Sequence, residues 1–255
     1  WMLSEKESEG DYVWIGAVDN TSSGTNWNIT SNWNGGRVPD ETADVTIPEP
    51  PVAAYNPTIN STSGYSQPSS TEVTTGEVRM RTIEIASTGV LNVTGAPNIY
   101  LYGGPNEGGG GINFSTISAN GTINPGESTV HLLDDATAST ATISGTAAFY
   151  NLVVSDNANL DVLSDAEIEI LNSFSLNTGA SVDAITQPNT IRYAGNNQTI
   201  TTIGGYHTLD LSSRGITTLP TTLDIYGDLL VNQSAGLDLE PIDLNFLGST
   251  QNIQS

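Results

Sequence analysis

Cysteine is absent from all 255 residues, so neither a disulfide framework nor a thiolate metal site can form. Charge is scarce too, at 13% of residues, about half the usual share. Positive charge is scarcest: 6 Lys and Arg stand against 28 Asp and Glu, for a net charge of −22. That field repels phosphate backbones and anionic lipid, which argues against nucleic-acid and membrane-surface partners. It attracts divalent cations, and it keeps a secreted protein dispersed in salt. No apolar run approaches a membrane span, so no membrane insertion is expected. Trp1-Met2 does not open a signal peptide, and the sequence is expected to be a processed or trimmed chain. Lack of cysteine also suits a surface protein that needs no oxidative folding machinery.

Helical periodicity is missing as well. The nearest case, "SDAEIEILNSF", alternates Ile168 and Ile170 with Glu167 and Glu169, which is the period of a strand. Period-two bursts recur elsewhere: "TVHLL", "NLVVS", "NLDVLS", "TIRYA", "TLDLSS", "LDIYG", "DLLVN". Gly, Asn, Asp, Ser or Pro bounds each burst, as turns bound strands. The expected fold class is all-β. Regular apolar punctuation argues against disorder, and only the acidic start "SEKESEG" reads as a tail.

The bursts also repeat over a longer distance. "EIEILNSFSLNTGASVDA" (167–184) aligns with "TLDIYGDLLVNQSAGLDL" (222–239) at an offset of 55, and "FYNLVVS" (149–155) aligns with "YHTLDLS" (206–212). Ile143 to Leu152 spans nine residues, and so does Ile200 to Leu209. Independent sandwich strands have no reason to keep such spacings twice, whereas a repeat does. Units begin near Thr129, Thr190 and Asp243, so the final "IDLNFLGSTQNIQS" opens a third copy. The spacing predicts a parallel β-helix or β-solenoid with turns of about 18–28 residues. A propeller or a pair of sandwiches is the competing architecture. Leu152, Val154, Ile168, Ile170, Phe174, Leu176 and Val182 are the expected inward column set. Leu209, Leu211, Leu223, Ile225, Leu229, Val231 and Leu237 are expected to continue it.

This divides the chain into an acidic tail (1–10), an N-terminal cap (11–60), first solenoid turns with a Gly-rich loop (61–127), and repeats over 128–255. The repeats cover 129–189, 190–242 and the start of a third at 243–255. The first sixty residues hold all four Trp (Trp1, Trp14, Trp27, Trp33) and a Pro cluster, suited to covering the open end of a coil. The glycines at 108–111 precede no Lys-Ser/Thr and no helix, so they read as a loop and not a phosphate cradle.

The segment "VWIGAVDNTSSGTNWNITSNWNGGRVPDETADVTIP" resembles the W-x-G … W … NW … G-x-x-P … D-V-x-I stretch that opens many large secreted proteins of the Bacteroidetes. There it precedes repeats built like "FYNLVVS … LNSFSLNTGASVDA … TIRYAGNNQTI". The resemblance runs from about Tyr12 onward. It implies a parallel β-helix surface or secreted protein, exported by the type IX system and described as an adhesin or as gliding-associated. The C-terminal sorting domain of that family has no counterpart here, which the truncated-chain expectation accommodates.

Chemistry-bearing residues are few. His131 and His207 align internally with Arg192 and Asn245, and with Tyr150, as outward or lateral positions would. Asp134-Asp135 and Asp224 with Asp228 are the carboxylate pairs a hydrolase would need. Asp210, Asp224, Asp238 and Asp243 instead read as a solvated face of alternating strands. Calcium is the one ion suggested: Asp40 and Asp44 in "PDETAD", and Asn157, Asn159 and Asp161 in "NANLDV". The latter lacks the Gly and distant Glu of a calcium loop, and both stretches read first as turns and strand caps. The Trp cluster could stack on sugar faces, although packing is its commoner role. Eight N-x-S/T sequons, near the number expected from composition, say little about glycosylation.

The expected function is therefore a non-enzymatic, extracellular structural or adhesive segment of a large surface protein or filament. Its partners would be further copies of its repeat, neighbouring subunits, or surface glycans. The alternative is a carbohydrate-active enzyme (a polysaccharide lyase or glycoside hydrolase) or a glycan-binding module on the same β-helix.

Overall fold

The computed structural model describes residues 11–16, 22–49, 55–66, 73–103, 117–133, 140–215, 217–231, 237–238, 242–249 and 252–254. Within them the chain is almost wholly β, with two 3-10 turns, Ser22–Thr25 and Thr30–Asn32. The expected all-β class holds. No helix among these residues is long and apolar enough to cross a membrane.

Strand pairing is parallel nearly throughout, and it sorts the strands into three stacks. In stack one Val45 lies beside Ile83, Ile83 beside Ile117, and Ile117 beside Ile143. In stack two Ile168 lies beside Ile191, then Leu209, then Leu229. In stack three Val78 lies beside Ile99, then Val130, then Leu152, then Phe174. The chain visits the stacks in fixed order: Asn159–Val162 in one, the start of Glu167–Leu176 in two and its end in three, then Ser181–Asp183 in one and Thr190–Tyr193 in two again. Two long strands cross between stacks, Thr140–Val154 through all three and Glu167–Leu176 from two into three, so most strands merge into a single sheet.

Alternation explains why these residues make strands. At Thr129–Leu132, Asn159–Val162 and Thr190–Tyr193 every second side chain is buried, and the inward ones are Val, Leu, Ile or Tyr. Inward residues from all three stacks share one apolar core. Leu152, Ile168, Leu209 and Leu223, all assigned inward from sequence, are at most 2% exposed. Corners are tight enough to exclude side chains. Gly145 turns the long strand at φ +74, and a Cβ there would collide with the Ala119 carbonyl oxygen.

Two expectations need correction. Steps of 23, 18 and 20 residues separate Ile168, Ile191, Leu209 and Leu229, within the expected range. Steps of 38 and 34 separate Val45, Ile83 and Ile117, which exceeds it. Part of the excess is an antiparallel excursion, Gly64–Ser66 with Val73–Thr75. Secondly, the copies of the sequence repeat do not stack on one another. From Ile168 the chain returns to stack two at Ile191 and Leu209, crosses stack three at Thr218, and reaches Leu223 in stack one. The 55-residue unit thus covers two and two-thirds circuits, and each copy is rotated by one stack. The expected column set resolves into three columns: Leu152 and Phe174 in stack three, Ile168, Leu209 and Leu229 in stack two, Leu223 and Ile225 in stack one.

Candidate functional site

Three places gather the polar and aromatic side chains: the Trp-rich segment, the outer side of stack three, and the outer side of stack two.

In the first, Trp14, Trp27 and Trp33 are 0–1% exposed. Their rings meet edge to face, Trp14 to Trp33 at 4.9 Å and Trp27 to Trp33 at 4.6 Å. Trp14 Nε1 donates to the Tyr55 carbonyl at 2.7 Å, and Trp33 Nε1 to that of Trp27 at 2.9 Å. Buried, crossed rings leave no flat face for a sugar, so these three Trp do not form a stacking platform. They belong to the shared apolar core. Trp27 Nε1 is buried without a partner, and nothing in the structure accounts for it. Trp1 and the acidic tail lie outside the described residues.

The same segment holds two calcium candidates, and their carboxylates already have partners. Asp40 is 4% exposed; its Oδ1 accepts from Thr42 N at 3.0 Å and from Thr42 Oγ1 at 2.7 Å, the geometry of a turn. Asp44 accepts from the Arg81 guanidinium through both oxygens and from Thr82 Oγ1 at 2.7 Å. Asn157, Asn159 and Asp161 lie four steps further along stack one, so the two candidate groups do not converge. Asn157 occupies a left-handed turn position, φ 61. Asn159 and Asp161 lie on a strand, and Asn159 Oδ1 accepts from Ser181 Oγ at 2.5 Å. Asp161 pairs in register with Asp183. Burial, then the neighbouring Asp183 charge, holds the Asp161 carboxyl above its ordinary range. Among the described residues no three His, Asp or Glu side chains group as a metal site.

On stack three the outward residues Arg79, Tyr100 and His131 follow one another across adjacent strands. Tyr100 and His131 stack at 4.7 Å and 14°. The Arg79 guanidinium sits 4.4 Å from the Tyr65 ring and bonds Glu77 (2.6 Å) and Glu41 (3.1 Å). Burial opposes charge on Arg79, but the two carboxylates outweigh it and raise its pKa. Burial lowers the pKa of His131, which favours the neutral ring. Ring faces and cation are thus turned on one another along the stack.

On stack two Arg192 reaches across two steps, to Glu167 Oε1 at 2.7 Å and to Asp210 Oδ2 at 2.7 Å. Asp210 is 2% exposed and also accepts from Ser212 Oγ at 2.6 Å. Its assignment to a solvated face fails: the strand alternates, but a long Arg lies over the carboxylate and seals it. Nearby a polar cleft of about 300 Å³ is lined by Asp165, Glu167, Asn189, Thr190, His207 and Thr208. Asn189 Nδ2 donates to the carbonyls of Val162 (3.1 Å) and Gln187 (2.8 Å), while its buried Oδ1 has no partner. His207 Nδ1 lies 3.4 Å from Thr208 Oγ1.

The remaining carboxylate candidates act as links. Asp224 Oδ1 accepts from Asn245 Nδ2 at 2.8 Å, and Asp228 Oδ1 accepts from Asn252 N at 2.9 Å. Asp134-Asp135 and the glycines at 108–111 lie outside the described residues.

Sequence reasoning did not anticipate the Arg–carboxylate links or the Tyr100–His131 stack. Apart from Arg79–Glu77, each joins residues 18–38 positions apart, a distance that only the register of the stacks makes local. Comparison with protein-family models, with curated proteins and with solved structures gives no match.

Proposed function

We propose that the protein is an extracellular, non-enzymatic β-solenoid scaffold, a structural or adhesive segment of a large surface protein of the kind its Trp-rich opening resembles. On this reading the three stacks close into one coil. The fixed order of visits, the parallel registers and the shared apolar core support that closure.

One observation carries the functional reading: ionisable side chains link neighbouring strands of a stack. Arg81 joins Asp44 on the adjacent strand, and Arg192 joins Glu167 to Asp210. Asn124 Nδ2 donates to Asn92 Oδ1 (2.8 Å) in the same manner, as does Asn172 Nδ2 to Asn151 Oδ1 (2.6 Å). Such ladders stiffen a rod along its axis. A stalk that transmits load or spaces a ligand from a cell surface needs that stiffness.

The test has two arms. Small-angle scattering of the purified chain should give an elongated particle of uniform cross-section. Incubation with panels of neutral and acidic polysaccharides should release neither new reducing ends nor unsaturated uronate products. A compact particle ends the coil reading. Polysaccharide cleavage that disappears in Asp165→Asn would replace the scaffold by a carbohydrate-active enzyme using the polar cleft.

A further inference from the structure

We propose that Asn34-Gly35 is a self-modifying site, where the folded chain converts the Asn34 side-chain amide to a carboxylate and assists the reaction with its own main chain. The chemistry does not depend on whether the stacks close into a coil.

Asn-Gly occurs twice, as Asn34-Gly35 and Asn120-Gly121, and both Asn residues are exposed. Glycine has no Cβ to shield its nitrogen, so it best lets a main-chain nitrogen reach the side-chain carbonyl before it. The Gly35 nitrogen loses its proton to hydroxide and attacks Asn34 Cγ. The N–Cγ bond forms and an electron pair moves onto Oδ1. As that pair returns, the Cγ–Nδ2 bond breaks and ammonia leaves with a proton from water. Water then opens the cyclic imide at either carbonyl, which leaves aspartate or isoaspartate at position 34. Only water is consumed, and one negative charge joins the net −22.

Three features separate the two sites. The first is a donor for the developing oxyanion. Val13 N donates to Asn34 Oδ1 at 2.8 Å, while Asn34 N donates to the Val13 carbonyl at 3.1 Å. An N–H is thus held on the atom where charge develops. Asn120 Oδ1 has no such donor among the described residues. The second is the nucleophile. Gly121 N is engaged with the Ile85 carbonyl at 3.1 Å, whereas Gly35 N has no acceptor among the described residues. The third is room to move. A Cβ on Gly121 would lie 2.3 Å from the Ala86 carbonyl oxygen and 2.4 Å from that of Gly89, so the main chain there is walled in. A Cβ on Gly35 would meet only the Tyr12 ring, at 3.4 Å or beyond, and one on Gly36 nothing within 4 Å. Isoaspartate lengthens the turn that Gly36 N closes on the Trp33 carbonyl at 3.0 Å, beside the Trp14–Trp33 bridge, and so loosens Trp33.

Peptide mapping by mass spectrometry tests this on the full chain, aged in mildly alkaline buffer with and without guanidinium chloride. Isoaspartate is scored by isoaspartyl methyltransferase labelling. Unfolded, the two sites differ only in neighbouring residues and should convert at comparable rates. Folding should raise the ratio of the Asn34 rate to the Asn120 rate by at least about tenfold. Val13→Pro has no N–H to offer Oδ1, while Trp14 N keeps its bond to the Thr46 carbonyl on the paired strand. With native far-UV dichroism retained, this variant should convert Asn34 about tenfold more slowly than the parent, and at the parent rate in guanidinium chloride. A ratio that does not rise on folding, or a folded Val13→Pro chain that converts Asn34 at the parent rate, overturns the proposal. If Val13→Pro loses its fold, the ratio alone decides.

Discussion

Arg192 Nε donates to Asp210 Oδ2 at 2.7 Å, across one step of stack two, and covers a carboxylate that is 2% exposed. Removing the cation leaves a buried charge without its counter-ion, which costs more than the pair itself contributes. Arg192→Met should lower unfolding free energy in urea by about 2–4 kcal/mol, toward the smaller figure because the Arg is itself partly exposed. Arg192→Met with Asp210→Leu should recover most of the loss. Equal losses in the single and double variants would mean that the pair does not hold the strands.

Asp161 and Asp183 face the same side of stack one and titrate in opposite directions. Burial raises Asp183, but hydrogen bonds from Thr186 (Oγ1 and N) and Ile185 N outweigh it and depress the carboxyl. A depressed folded pKa contributes stability above the unfolded value, lost as pH falls through the folded one. Asp161 is raised, so its charge opposes folding once pH exceeds its folded pKa. Asp161→Asn should therefore raise Tm slightly at neutral pH and do nothing at pH 3. Asp183→Asn should lower Tm at neutral pH. Carboxyl chemical shifts followed by NMR titration should show Asp161 protonating first as acid is added.

Alternation was legible in the sequence because each stack has one wet and one dry side, so Leu209 or Ile168 declares its direction locally. The burial of Trp14, Trp27 and Trp33 was legible for a similar reason, since bulky apolar rings pack away from water. The phase of the repeat was not. Ile168 and Leu223 have the same inward environment in different stacks, and a local pattern does not record which stack it occupies. Asp210 was misread because its partner Arg192 lies 18 residues away, and only the circuit length reveals that they touch.

Gly145 sits where the chain turns from stack one toward stack two, at φ +74, against the Ala119 carbonyl oxygen. A methyl group there meets both a backbone penalty and a contact that requires the neighbouring strand to retreat. Gly145→Ala should cost about 2 kcal/mol or more, well beyond the usual surface substitution. Gly36 is also at positive φ, but an added methyl group there would meet nothing within 4 Å, so the same change should lose only the backbone share. Equal Tm losses for the two variants would show that crowding at the corner is unimportant.

Because each stack receives one strand per circuit, a circuit and not the 55-residue unit is the length that can be removed in phase. Leu209 lies beside Leu229, so excising residues 209–228 joins Thr208 to Leu229 within stack two. The same cut removes Thr217–Thr218 from stack three, leaving Thr199 to face Asp238, and Thr222–Ile225 from stack one, leaving Tyr206 to face Phe246. Every remaining strand keeps its stack and its inward parity. Arg192 loses Asp210 but keeps Glu167, and no buried acid is stranded. The shortened protein should still unfold in one cooperative transition, with a moderately lower Tm and a shorter particle by scattering, as expected where stability sums over stacked units. Excising 209–218 instead brings residues 219–221 and the stack-one strand Thr222–Ile225 directly after Thr208 in stack two and should abolish cooperative unfolding. If both deletions fold equally well, the stacks are not phased as the registers indicate.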